Sequence, residues 1–128
     1  MKYINKLKIR ESVFQKYDGH CAYCGKILNK SHFAIDHIEP RFRAHSDTQL
    51  LQLNRIRGAD SIENFNPSCM GCNSSKSTYT IEKWRSEINK KHERLLKFEP
   101  SYNLLFRLGM IEQTRSCIFY FEKHKANL

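Results

Sequence analysis

A small α+β fold stapled by a metal ion is predicted for this chain. Three observations predict it: two Cys-x-x-Cys pairs set 44 residues apart, a short β-like stretch between them, and helical apolar patterns on either side. Each pair, Cys21 with Cys24 and Cys69 with Cys72, brings two sulfurs within reach of one ion. Two such turns complete a tetrahedral four-sulfur site of the kind zinc fills, and a closed site of that type is structural. A chain of 128 residues has a poor surface-to-volume ratio, so such a staple would help it.

The elements follow in order. Ile9, Val13, Phe14 and Tyr17 share one helical face within 8–17, and Gly19 suits the helix stop. The first knuckle, Cys21-Ala22-Tyr23-Cys24-Gly25, leads into a predicted hairpin with strands at 26–28 and 33–38, turning at Asn29-Lys30-Ser31. Residues 41–60 read as a polar loop with at most one helical turn. Ser61 suits the cap of a short helix through Phe65, Pro67 breaks it, and the second knuckle opens another helix through about Ser77. Ile81, Trp84, Ile88 and Leu95 predict a helix over 80–98, with a shorter one at 101–108 ended by Gly109. Residues 116–122, Ser-Cys-Ile-Phe-Tyr-Phe-Glu, predict a strand buried on both sides, with Cys117 a core thiol. One domain over 1–128 is expected, with a stapled core at 8–77 and an extension, 78–128, packed on it.

Composition narrows the function. Lys and Arg number 22 against 13 Asp and Glu, a net charge of +9, and the mean hydropathy is −0.65. A basic folded surface suits a polyanion, because bound cations release the counterions of phosphates. No run approaches the roughly 18 apolar residues of a membrane span, which excludes membrane partners of that kind. The opening Met1-Lys2-Tyr3-Ile4-Asn5-Lys6 lacks an apolar signal core, so a cytoplasmic location is expected. There, cysteines are ligands more readily than disulfides.

Chemistry concentrates between and beside the knuckles. Ile35-Asp36-His37-Ile38-Glu39-Pro40 lies between them, and Asn73-Ser74-Ser75-Lys76 follows the second. Phosphodiester hydrolysis needs a base for water, a hard cation on the phosphate, and oxygen ligands for that cation. An imidazole, with an ordinary pKa of about 6.5, suits His37 to the base. Asp36 and Asn73 offer oxygens to Mg²⁺ or Mn²⁺. Neighbouring residues of a regular strand face opposite ways, so Asp36 and His37 can share a site only where the strand ends or bulges. Asn73 also suits a plain helix cap, and His45 could contact substrate or metal, although a solvated loop is its plainer reading. Arg41, Arg43, Arg55 and Arg57 could track a DNA backbone, although loop charges are often only solvated.

These residues together resemble the HNH endonuclease family in its zinc-knuckle branch. The likeness is carried by Cys21-x-x-Cys24-Gly25, Asp36-His37-Ile38-x-Pro40, Asn64-Phe65-x-Pro67-x-Cys69-x-x-Cys72-Asn73 and Lys76, and covers roughly 8–77. It implies a ββα-metal core, flanked here by N- and C-terminal helices. It also implies His37 as general base, Asp36 and Asn73 as ligands of a catalytic Mg²⁺ or Mn²⁺, and Asn64 steadying the histidine's loop. The four cysteines would hold structural Zn²⁺, Lys76 would lie near the phosphate path, and the products would be 5′-phosphate and 3′-hydroxyl ends. A Gly-Gly common in the family after the proline is absent here. Two readings compete with a DNA endonuclease. One is a non-catalytic zinc module that binds nucleic acid. The other is a nuclease subunit with a protein partner in an anti-phage or restriction assembly.

Overall fold

The computed structural model describes residues 3–112 and 116–127; residues 1–2, 113–115 and 128, which the single-domain reading also spans, lie outside it. The chain forms two compact units, residues 1–80 with 119–128, and residues 81–118.

In the first unit, helix α1 (Tyr3–Gln15) starts earlier than its apolar face and delivers Val13 into the core. A turn at 16–19 follows, and Tyr17 within it is buried. The knuckle then consumes the backbone expected for a first strand: Cys21 N–H donates to Lys26 O at 2.8 Å and Leu28 N–H to Gly19 O at 2.8 Å. With those groups spent, 26–28 cannot pair with 33–38, and only isolated bridges join His20 to Ile27 and Asn29 to His32. The predicted hairpin is therefore replaced. Strand β1 (Ala34–His37) pairs antiparallel with β2 (Phe65–Ser68), Asp36 opposite Asn66 and His37 opposite Phe65.

Strand β2 occupies sequence that locally reads as helix and breaker. Only a 3₁₀ turn, Ile62–Asn64, precedes it. Pro67 is tolerated because a two-stranded sheet has only edge strands, and its carbonyl accepts from Ala22 N–H at 2.9 Å. Helix α3 (Met70–Lys76) follows directly and packs against β1. A ββα order thus exists, with its two strands separated by the whole of 38–64.

That connection is ordered from within. Helix α2 (Asp47–Gln52) is capped by Ser46 and Gln49 in a reciprocal box and buries Leu50. Arg57 donates to the carbonyls of Arg41, Phe42 and His45, each at 2.8 Å, and so winds the loop around itself. Gly58 closes it: its N–H donates to Pro40 O at 2.8 Å, and a Cβ there would stand 1.6 Å from Glu39 O. We expect Gly58→Ala to destabilise the fold by about 1–3 kcal/mol, the usual cost of overpacking, read as a lower urea midpoint. An unchanged midpoint would show that the loop has room.

The strand expected at 116–122 does not form; residues 117–119 are extended coil and α6 (Tyr120–Lys123) is a single helical turn. Its backbone bonds the first knuckle instead of a sheet, Tyr120 N–H to Tyr23 O at 2.9 Å and Phe121 N–H to Ala22 O at 2.8 Å. Phe119 is consequently buried and Ile118 exposed. Gly25, at φ +78°, leaves room for the Tyr120 ring, which a Cβ would approach to 2.6 Å.

The second unit is a helical pair, α4 (Ile81–Phe98) and α5 (Pro100–Arg107), close to the predicted bounds. Asn103 Nδ2 donates to Leu96 O at 2.9 Å, and the His92 ring meets the edge of Tyr102 with centroids 5.6 Å apart. Cys117 is half-buried rather than a core thiol, its N–H donating to Asn89 Oδ1 at 2.9 Å. Among the described residues no helix is long and apolar enough to cross a membrane.

Candidate active site and metal centre

The sulfurs of Cys21, Cys24, Cys69 and Cys72 lie within 4.8 Å of one another, close enough to hold one metal ion. Cys21 is fully buried, and Cys69 sits at the N-cap of α3, its sulfur accepting from Cys72 N–H at 3.4 Å. Hydrogen bonding from Cys72 draws the Cys21 thiol well below its ordinary range, and the same contact pushes Cys72 up. A bound cation would displace the thiol protons of the cluster.

The strand between the knuckles separates its two polar residues. Asp36 points inward and is buried, its carboxylate accepting from the Tyr23 hydroxyl and lying 3.3 Å from Lys76 Nζ. Burial raises the Asp36 carboxyl, while Lys76 and Tyr23 act in the opposite sense; burial likewise lowers the Lys76 ammonium against the pull of Asp36. His37 turns the other way. Its ring meets Phe65 edge-on at 4.9 Å, and Nε2 lies 2.9 Å from Asp60 Oδ1. Asp36 and His37 both lie along one open cleft of about 360 Å³, whose walls include Pro40, Arg41, Arg43, His45 and Asn73.

Asn73, in the second turn of α3, is half-buried in that wall. Asn64 lies outside it and acts on backbone: Nδ2 donates to Glu39 O and Ala59 O, both at 2.9 Å, and Oδ1 accepts from Glu39 N–H at 2.9 Å. Ile38 N–H also donates to Asn64 O at 2.8 Å. The segments after His37 and before Asp60 are therefore tied to one residue.

Lys76, expected on the phosphate path, has no exposed surface. Its ammonium is occupied by Asp36 and by His37 O at 3.0 Å. Arg41 and Arg43 line the cleft, whereas Arg55 is drawn to Glu39 Oε1 at 3.2 Å and Thr78 O at 3.0 Å, and Arg57 to the loop carbonyls.

Residues given no firm role from the sequence also belong here. Tyr23 hides inside the first knuckle, and Asp60 is one loop acid among several. His45, placed on a solvated loop, has a buried Nδ1 without a hydrogen-bond partner among the described residues. Nothing in the sequence singles out Asp60, because the packing at Gly58 two residues before it shows only in the structure.

Fold and site together define a small α+β module, closed by a four-cysteine cluster, with a polar cleft at the end of a short strand. Residues 21–78 match the family model described as HNH endonuclease, and the chain carries an HNH endonuclease domain there. A curated relative, the SPbeta prophage-derived putative HNH endonuclease YoqL of Bacillus subtilis (strain 168), is 34% identical over 92 residues. The match takes in 68% of this chain and 36% of the relative, so the chain spans about a third of that protein's length.

Proposed function

We propose that this chain is a metal-dependent endonuclease that hydrolyses DNA phosphodiester bonds, leaving 5′-phosphate and 3′-hydroxyl ends. The observation that carries the reading is the cleft that gathers Asp36, His37 and Asn73 within the family-matched segment.

The donor set fits a hard divalent cation. Two residues offer oxygen donors: the Asp36 carboxylate, already engaged by the Tyr23 hydroxyl and Lys76, and the Asn73 carboxamide, half-buried in the cleft wall. Asp36 and Asn73 would hold Mg²⁺ or Mn²⁺, which polarises the phosphate and offsets its growing charge. His37 takes the proton of the attacking water, and Asn64 keeps the histidine's loop in place through Glu39. Arg41 and Arg43 line the approach to the cleft as contacts for the DNA backbone. The four cysteines hold Zn²⁺ as a structural ion, since thiolates suit zinc and oxygen donors suit magnesium.

A supercoiled-plasmid nicking assay tests this. Cleavage should be abolished by EDTA, restored by Mg²⁺ or Mn²⁺, and fall at least about tenfold in Asp36→Ala and Asn73→Ala proteins that retain zinc. Wild-type cutting by both variants would remove the two residues from the cation. DNA binding without cutting under any divalent ion would favour the non-catalytic module.

A further inference from the structure

We infer that Asp60 is a positioning residue for His37, fixing which imidazole nitrogen is free to act on water. The inference rests on His37 being the base proposed above, and deepens that reading.

Geometry carries it. Asp60 Oδ1 is 2.9 Å from His37 Nε2, while its other oxygen, Oδ2, lies 3.4 Å from Arg41 Nη1. The Asp60 side chain is 59% exposed and that of His37 22%, and as a surface ion pair the contact would add little to stability. Its setting is more organised than a surface pair needs. The strand end that carries His37 is tied to the loop that carries Asp60 by Gly58 N–H to Pro40 O and by Asn64, whose side chain bonds both Glu39 and Ala59. Phe65 closes the imidazole from the side at 80°. Ring and carboxylate are thus held from two backbone segments locked to each other.

A neutral imidazole carries one N–H. Donating Nε2–H to Asp60 leaves the Nδ1 lone pair as the base. Water gives its proton to Nδ1 as its oxygen bonds phosphorus, and the P–O3′ bond breaks, the 3′ oxygen keeping the electron pair and taking a proton from solvent. The ring becomes an imidazolium facing an ionised carboxylate. Asp60 stays ionised throughout; the His37 contact already holds its carboxyl below the usual range, with Arg41 acting in the same sense. Without Asp60 the ring can donate from either nitrogen, and the Nδ1–H form has no lone pair on Nδ1 to take the proton.

The test uses single-turnover cleavage at saturating plasmid and Mg²⁺, with zinc content and DNA affinity measured on the same preparations. Asp60→Ala should cut about tenfold to a hundredfold more slowly, the scale of a partner that orients a working side chain. DNA affinity should stay within about threefold, and Asp60→Asn, whose amide oxygen still accepts, should recover part of the loss. In a His37→Ala background, removing Asp60 should cost nothing further, because its effect runs through the ring. Imidazole ¹⁵N–¹H correlation spectra taken without DNA give a second readout: the Nε2–H tautomer in the wild type, a mixture in Asp60→Ala. Wild-type cutting by Asp60→Ala, an equal loss in both backgrounds, a loss confined to DNA binding, or an unchanged tautomer overturns the inference and leaves His37 as base. Wild-type cutting by His37→Ala overturns the base assignment itself, and Asp60's role with it.

Discussion

His37→Ala protein is expected to fold, keep its zinc and bind DNA nearly as the wild type does, yet cut at least about a hundredfold more slowly. General-base catalysis is typically worth about 10²–10⁴-fold. The separation of chemistry from structure follows from where the side chain lies. The ring projects from the end of β1, away from the buried Asp36–Lys76 pair, and its contacts are Phe65 and the exposed Asp60. Lys76 bonds the backbone carbonyl of residue 37, which alanine retains. Thermal melting, zinc content, DNA affinity and single-turnover rate on one preparation decide the matter. A variant that cuts normally, or fails only because it has unfolded, would remove His37 from the chemistry.

A larger effect on the molecule as a whole is expected from the cysteines. Cys21→Ser or Cys69→Ser should leave the protein unfolded or aggregated, and the wild type should carry about one tightly held zinc per chain. Structural zinc contributes about 10–16 kcal/mol in small zinc domains, comparable to the roughly 5–15 kcal/mol that stabilises a whole domain. The dependence is steep here because the first knuckle is also a packing hub. Ala22 bonds Pro67 of β2 and Phe121 of α6, and the Tyr23 hydroxyl bonds Asp36. Freeing Cys21 therefore releases the strand that carries the polar pair along with the sulfur. Circular-dichroism melting with metal analysis checks this, and a zinc-free, well-folded and fully active protein would refute it.

Much of the architecture could be read from local pattern. Matched Cys-x-x-Cys turns bring their sulfurs together whatever lies between them, because each turn is short and thiolates share few other partners. Helices α4 and α5 follow from apolar residues at helical spacing and from Gly109, which takes φ +75° just past the second helix. An α+β fold follows from the same patterns.

Strand pairing was not legible, since a period of two marks a strand without naming its partner. Residues 26–28 were the nearest candidate for β1, but their backbone groups serve the knuckle. The true partner begins 28 residues beyond His37 and contains a proline. The aromatic run at 119–121 has the composition of a strand core, and only its docking on Ala22 and Tyr23 makes it coil and a helical turn.

By itself, the sequence determined the residue types and spacings: four sulfurs in two turns, an Asp-His pair before a proline, and an asparagine just after the second knuckle. Tertiary structure alone decided the direction and company of each side chain. It ended β1 at His37, buried Lys76 against Asp36, and set Asp60 beside the imidazole. The physical reason is one of range. A turn or a helical face is settled within a few residues, whereas burial and ion pairing join segments as distant in sequence as Asp36 and Lys76, with the long connection ordered around Arg57 and Gly58 between them.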